Sequence, residues 1–157
     1  MKTSTLVGTG LATAATAAAG SIATDPNSAW YRSLDKPAWQ PPPVAFPVVW
    51  TPLYASIAFA AARALDATSS AAQRRGLRRA YAIDLVLNAG WTALFFRAHR
   101  PRLALAELVL LNAANAALLR RAWRADRVAG ATLLPYLAWT GFATALNTAI
   151  ALRNPGR

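Results

Sequence analysis

Residues 79–96 read RAYAIDLVLNAGWTALFF. The stretch approaches the ~20 residues that cross a hydrocarbon core, and as a helix it has two unlike faces. At 100° per residue Tyr81, Asp84, Asn88, Trp91 and Phe95 share one side, and Ala82, Val86, Ala89 and Ala93 fall nearly opposite. An unpaired carboxylate or amide is costly against lipid, so the polar and aromatic face turns into a bundle. There it either bonds to neighbouring helices or lines a cavity. The small face allows a second backbone to approach closely, as small residues four apart do in membrane helices, and predicts a dimer packed through this helix.

Four more apolar runs flank this one. The spans predicted are about 5–23, 44–65, 79–96, 103–123 and 128–152, which makes an all-α integral membrane protein: a single domain folded as a five-transmembrane-helix bundle. The first run, rich in Ala, Thr and Gly, also suits a signal peptide, since Lys2 precedes it and small residues follow; the four later runs favour a retained helix, with Met1 kept. Residues 24–43 form a Pro/Trp-rich connection. Pro41, Pro42 and Pro43 cannot lie inside a helix but suit the first turn of the next. Pro47 and Pro52 predict a kink early in the second span.

Composition agrees with lipid as the main solvent. Hydrophobic residues make up 55% of the 157 and charged residues only 15%, against about 25% charged in a soluble domain. The net charge is +11, but the cations cluster between apolar runs, as in Arg74-Arg75, Arg78-Arg79 and Arg120-Arg121. That placement suits headgroups rather than nucleic acid. Lys2, Arg63 and the basic residues after the second and fourth spans fall on one side. Arg32, Lys36, Arg97, Arg100, Arg102, Arg153 and Arg157 fall on the other. The bias favours a cytoplasmic N-terminus. With no Cys and one His, disulfides and thiolate or imidazole metal centres are excluded, and no metal site is predicted. No Ser-His-Asp order, P-loop or glycine-rich nucleotide fingerprint occurs. Asp84 and Glu107 are intramembrane carboxylates, functional candidates of the kind a proton-coupled carrier would use. For Glu107, near the start of the fourth span, the alternative is a pair with a loop arginine, and His99 is expected to be a solvated turn residue.

Two other spans carry aromatic faces. The second has Phe46, Trp50, Leu53 and Tyr54 within helical reach of each other. The fifth has Pro135, Trp139, Phe142 and Leu146 along a face, with Asn147 beside it. Trp123 and Tyr136 suit a headgroup belt. Trp50, Trp91 and Trp139 lie deeper in apolar runs, where aromatic walls with a few amides suit a large, flat, mostly apolar ligand.

Three blocks together resemble one family. They are Trp30-Tyr31-Arg32-Ser33-Leu34-Asp35-Lys36-Pro37-Ala38-Trp39-Gln40-Pro41-Pro42, followed by Phe46, Val49-Trp50 and Leu53-Tyr54; Tyr81, Leu85, Leu87-Asn88, Trp91 and Phe95-Phe96; and Pro135-Tyr136-Leu137-Ala138-Trp139, Phe142-Ala143 and Leu146-Asn147. They resemble the TspO/MBR family of tryptophan-rich sensory proteins and peripheral-type benzodiazepine receptors. The resemblance implies a five-helix bundle, usually homodimeric, with a pocket for porphyrins and haem closed by the first long loop. Carried over by motif, the ligand-binding residues are Tyr31, Phe46, Trp50, Asn88, Trp91, Trp139, Phe142 and Leu146, with Trp30, Arg32, Lys36 and Trp39 in the lid loop. Asp84 stands where the family commonly has Gln, and Thr148-Ala149 follow Leu146-Asn147 where the mammalian sterol motif has Tyr.

The function expected is a multi-pass receptor or sensor of a bacterial cell membrane, binding a tetrapyrrole such as protoporphyrin or haem as ligand, with no obligatory cofactor. The alternatives are a transporter of tetrapyrroles or lipids, and an enzyme degrading porphyrin oxidatively with Trp50 and Trp139 near the ring.

Overall fold

The computed structural model describes residues 1–156; Arg157, counted above among the cations, lies outside them. The fold is all-helical. In chain order come α1 (Thr3–Ala23), α2 (Ala29–Arg32), α3 (Ala45–Ala67), α4 (Ala71–Thr92), α5 (Pro101–Ala125), α6 (Arg127–Thr132) and α7 (Leu134–Arg153), and α4 runs on into a π-helical turn, Ala93–Arg97. Among the described residues three helices, α1, α3 and α5, are long and apolar enough to cross a membrane. The helices α4 and α7, of 22 and 20 residues, are comparable in length, but α4 opens on arginines and α7 carries Thr140, Thr144, Asn147 and Thr148.

Several boundaries differ from the sequence reading for local reasons. Helix α4 starts eight residues before position 79, because Ser70 caps Gln73 N–H and arginine is a good helix former. Hydropathy registers only where such a helix turns apolar. Arg74, Arg75, Arg78 and Arg79 therefore stand on helical turns rather than in a linker. The predicted span 128–152 is broken in two at Leu133. Pro135 has no N–H and its ring clashes with the carbonyl four residues back, so the helix stops and restarts with the proline in its first turn. In α3 the helix continues through Pro52.

The turn between α4 and α5 hinges on His99, whose φ of 55° is left-handed. Arg100 N–H closes it on the Leu94 carbonyl at 3.1 Å, and Pro101 opens α5. At the other end Asp126 caps α6, accepting from Ala129 N–H at 2.8 Å while Arg63 of α3 donates to the same oxygen at 2.9 Å. The Arg63 guanidinium holds the Asp126 carboxyl below its ordinary range, with the Ala129 bond adding to the effect. Helix α6 folds back on α5 so closely that a Cβ on Gly130 would lie 2.5 Å from Trp123 Cε3 and 2.7 Å from its Cα.

The helix α1 is tied into the bundle. Thr9 Oγ1 donates to the Ala58 carbonyl at 2.9 Å, and Tyr81 OH donates to the Thr9 carbonyl at 2.7 Å while sharing a 2.6 Å bond with Thr13 Oγ1. Lys2 N meets Asp66 at the end of α3, whereas Arg153 of α7 pairs with Asp35 of the lid loop at 3.5 Å. The two chain ends therefore lie at opposite ends of the bundle.

Candidate ligand cavity

Each helix that meets inside the bundle brings a different chemistry to one cavity of about 410 Å³. From α3 come Phe46, Trp50 and Tyr54, one turn apart. From α4 and its π turn come Asn88, Trp91, Thr92, Phe95 and Phe96, and from α7 Trp139, Thr140, Phe142, Ala143, Leu146, Asn147 and Ile150. The wall is completed by Ala17, Gly20 and Ser21 of α1, by Leu108 and Leu111 of α5, and by Tyr31 and Gln40 of the connecting loop. The volume falls in the 300–1,000 Å³ range of small-molecule sites, and aromatic walls with few polar groups are their usual lining.

The aromatic rings form two banks. Trp50 stacks on Tyr54 at 5.2 Å and meets Tyr136 edge-on at 6.1 Å; Phe46 meets Trp139 edge-on at 6.1 Å, and Trp139 stacks on Phe142 at 5.2 Å. On the α4 side Trp91 stacks on Phe95 at 5.3 Å. Trp91 Nε1 donates to Asn147 Oδ1 at 3.1 Å, and Asn147 Nδ2 donates to the Pro101 carbonyl at 2.8 Å, so one amide fixes the indole and ties α7 to the start of α5.

A chain of polar groups leads from the cavity into the core. Tyr54 OH donates to Asn88 Oδ1 at 2.8 Å, Asn88 Nδ2 donates to Tyr136 OH at 3.0 Å, and Tyr136 OH donates to Asp84 Oδ2 at 3.2 Å. Asp84 and Tyr136 are fully buried. Tyr136 is thus a core residue and not part of a headgroup belt: Asn88 and Asp84 satisfy the hydroxyl that would otherwise have to reach water. Glu107 is also buried and, among the described residues, makes no ion pair with a loop arginine; its Oε1 faces Gly90 of α4.

The connecting loop covers the Tyr31 end. Ser28 caps the short α2 by accepting from Tyr31 N–H, and Leu34 is buried with Phe95, Phe96 and Ile150. Asp35 and Asn154 exchange reciprocal bonds, Asp35 N–H to Asn154 Oδ1 at 3.1 Å and Asn154 Nδ2 to the Asp35 carbonyl at 2.9 Å. Gln40 Nε2 donates to Tyr31 OH at 3.1 Å, and burial pushes the Tyr31 hydroxyl above the ordinary phenol value, with the Gln40 bond opposing.

All eight residues assigned to the pocket by motif, Tyr31, Phe46, Trp50, Asn88, Trp91, Trp139, Phe142 and Leu146, line this one cavity. The four lid residues do not line it. Trp30 stacks on His99 at 4.4 Å, so that histidine, although exposed, has an aromatic partner. Trp39 is half exposed with its edge on Phe142 at 5.8 Å, Arg32 is exposed, and Lys36 Nζ donates to the Tyr31 and Leu34 carbonyls at 2.7 and 3.2 Å. Of the polar face of α4, Tyr81 serves α1 instead of the cavity. The small face is open: Ala82, Val86 and Ala93 are exposed and Ala89 half-buried.

Sequence reasoning left out Tyr54, Thr140 and Asn147 as site residues, and the contributions of α1 and α5. Tyr54 had a usable signal, one turn beyond Trp50 on the same face. The α1 and α5 residues are small or aliphatic and carry none.

Together the helical fold, its membrane-length apolar helices and the aromatic cavity between them define a helical membrane protein. The chain belongs to the TspO/MBR family, whose model matches residues 8–153. It is similar to protein CrtK of Rhodobacter capsulatus, 37% identical over 82% of this chain and 80% of that one. It is also similar to the tryptophan-rich protein TspO of Chlorobaculum tepidum, 36% identical over 87% of both chains, and to the translocator protein of Homo sapiens, 34% identical over 81% of this chain and 76% of that one.

Proposed function

We propose that the chain is a five-span receptor or sensor of a bacterial cell membrane that holds a tetrapyrrole, such as protoporphyrin or haem, flat between the aromatic banks of the cavity. The observation that carries this reading is the convergence of Trp50, Trp91, Trp139 and Phe142 on one largely apolar space of about 410 Å³. Stacked faces suit a planar conjugated ring, and Asn88, Gln40 and Tyr31 offer a few hydrogen bonds at its edge. The sensory and translocator names of the relatives support the membrane receptor or sensor part of this reading. In this reading α4 and α7 cross the membrane with α1, α3 and α5, and two copies pack through Ala82, Val86, Ala89 and Ala93, an outward face of small side chains. Arg32 and Lys36 stand at the covered end as partners for carboxylate side arms.

The test is a spectroscopic titration of the purified protein with metal-free protoporphyrin. Trp50→Ala and Trp139→Ala each weaken binding several-fold or more, since a stacked aromatic contributes on the order of 1 kcal/mol beyond area burial. Trp123→Ala, outside the cavity, leaves the affinity unchanged. Equal losses from all three would contradict the site. Steady loss of the porphyrin spectrum would instead support degradation, and vectorial uptake into proteoliposomes would support transport.

A further inference from the structure

A second concavity lies on the outside of the bundle, away from the aromatic cavity. Gly76, Arg79, Ala80 and Ile83 recur along α4 at the i, i+3, i+4, i+7 spacing of one helical face, and Ala114, Ala117 and Arg121 do so along α5. Together they line a groove of about 370 Å³ between the two helices. The helices run antiparallel, and a Cβ on Gly76 would stand 3.7 Å from Arg121 Nε. Arg121 therefore stands at the Gly76 end of the groove, and Arg79 follows about one helical turn along α4. The apolar part of the groove reaches about 10 Å deeper, the rise from Arg121 back to Ala114 at ~1.5 Å per residue. The alanines leave space that larger side chains would fill, and Ile83 is half exposed beside it.

The two arginines have no acid to meet. The acids of this end are Asp66 and Asp126. Asp66 is engaged by Lys2 N and Thr5 Oγ1, and Asp126 by Arg63. Among the described residues no ion pair involves Arg79 or Arg121. A groove that is basic at the rim and apolar below matches an amphiphile with an anionic head. A second copy fits less well, since a two-fold contact here would set these cations against their own counterparts.

We propose that this groove binds one anionic phospholipid, its phosphate between Arg79 and Arg121 and one acyl chain along Ala80, Ile83, Ala114 and Ala117. Guanidinium forks match phosphate oxygens, and basic pockets between membrane helices take such headgroups. The site rests on the membrane-spanning reading of α4 and α5 but not on tetrapyrrole binding, so porphyrin titration and lipid retention succeed or fail separately.

Native mass spectrometry of the purified chain, offered equal phosphatidylglycerol and phosphatidylcholine, tests it. One phosphatidylglycerol per chain is retained at least about tenfold over phosphatidylcholine. That preference is lost in Arg79→Gln/Arg121→Gln and kept in Arg75→Gln/Arg124→Gln, which removes two cations of the same end that do not line the groove. Ala117→Phe blocks retention with every charge intact. Equal retention of both lipids, or equal losses in the two double variants, would overturn the site in favour of diffuse attraction. Complete displacement by millimolar inorganic phosphate would make it a free-anion site and overturn the lipid assignment. Should a variant not fold, a photoactivatable phosphatidylglycerol on the unsubstituted chain decides: labelling within 76–83 and 114–121 supports the groove, and labelling confined elsewhere contradicts it.

Discussion

At the scale of single residues, Gly130 and Asp126 control how the chain passes from α5 into α6. Gly130 has no room for a methyl group, because two of the nearest atoms, Trp123 Cα and Cβ, belong to or adjoin the backbone and cannot swing away. Gly130→Ala is predicted to destabilise the protein by about 1–3 kcal/mol, the usual cost of overpacking, visible as a lowered midpoint of thermal unfolding in detergent. An unchanged midpoint would mean that the turn relaxes freely. Asp126 carries a pH prediction. Its folded value is depressed by Arg63 and by the capping bond. Its contribution is therefore present above the ordinary carboxylate range, about pH 4, and is lost as the pH falls through the folded value. The stability difference between the unsubstituted chain and Asp126→Ala should be open at pH 7 and narrow once the pH falls below about 4; a difference that does not narrow at all on acidification would contradict the ion-paired cap. Neither residue is conspicuous in the sequence. Gly130 is one small residue in an apolar run, and the mate of Asp126 is 63 positions away. By contrast Asn88, Trp91 and Leu146 were legible, because helical spacing and the family motif set them on inward faces.

At the scale of elements, periodicity located the helices and end chemistry decided where they stop. The π turn that ends α4, the basic start of that helix and the break at Leu133 were not visible to hydropathy. Each depends on a cap, a proline or a left-handed residue rather than on apolar content. The outward face of α4 carries its own prediction. Val86 is 71% exposed and its neighbours on that face are alanines. If two copies meet there, Ala89→Leu inserts bulk where backbones approach and shifts the protein from dimer to monomer in cross-linking and size analysis in detergent. An unchanged dimer would move the contact to another helix.

At the scale of the whole molecule, the cavity is a property of assembly. Its aromatic banks were foreseeable because Trp, Phe and Tyr stand out in apolar helices. The α1 and α5 walls were not, since Gly20 and Leu111 look like any other lipid-facing or core residue until the bundle closes. The polar chain from Tyr54 through Asn88 and Tyr136 to Asp84 likewise needed three helices to be in place. The central claim is that this assembled space holds a flat ring by its apolar face. Haem iron is normally ligated by His, Cys, Met or Tyr. Here Cys is absent and the one Met is Met1. His99 stacks on Trp30 at the α4–α5 turn, outside the residues lining the cavity, while the lining tyrosines are already bonded, Tyr54 to Asn88 and Tyr31 to Gln40. The most direct measurement is a paired titration of the purified protein with metal-free protoporphyrin and with haem, repeated on His99→Ala. The account predicts saturable binding of both, with affinities within about tenfold, a gap of ~1.4 kcal/mol, and no change in His99→Ala. No saturable binding of the metal-free ring, or a haem preference well beyond tenfold that disappears in His99→Ala, would contradict it.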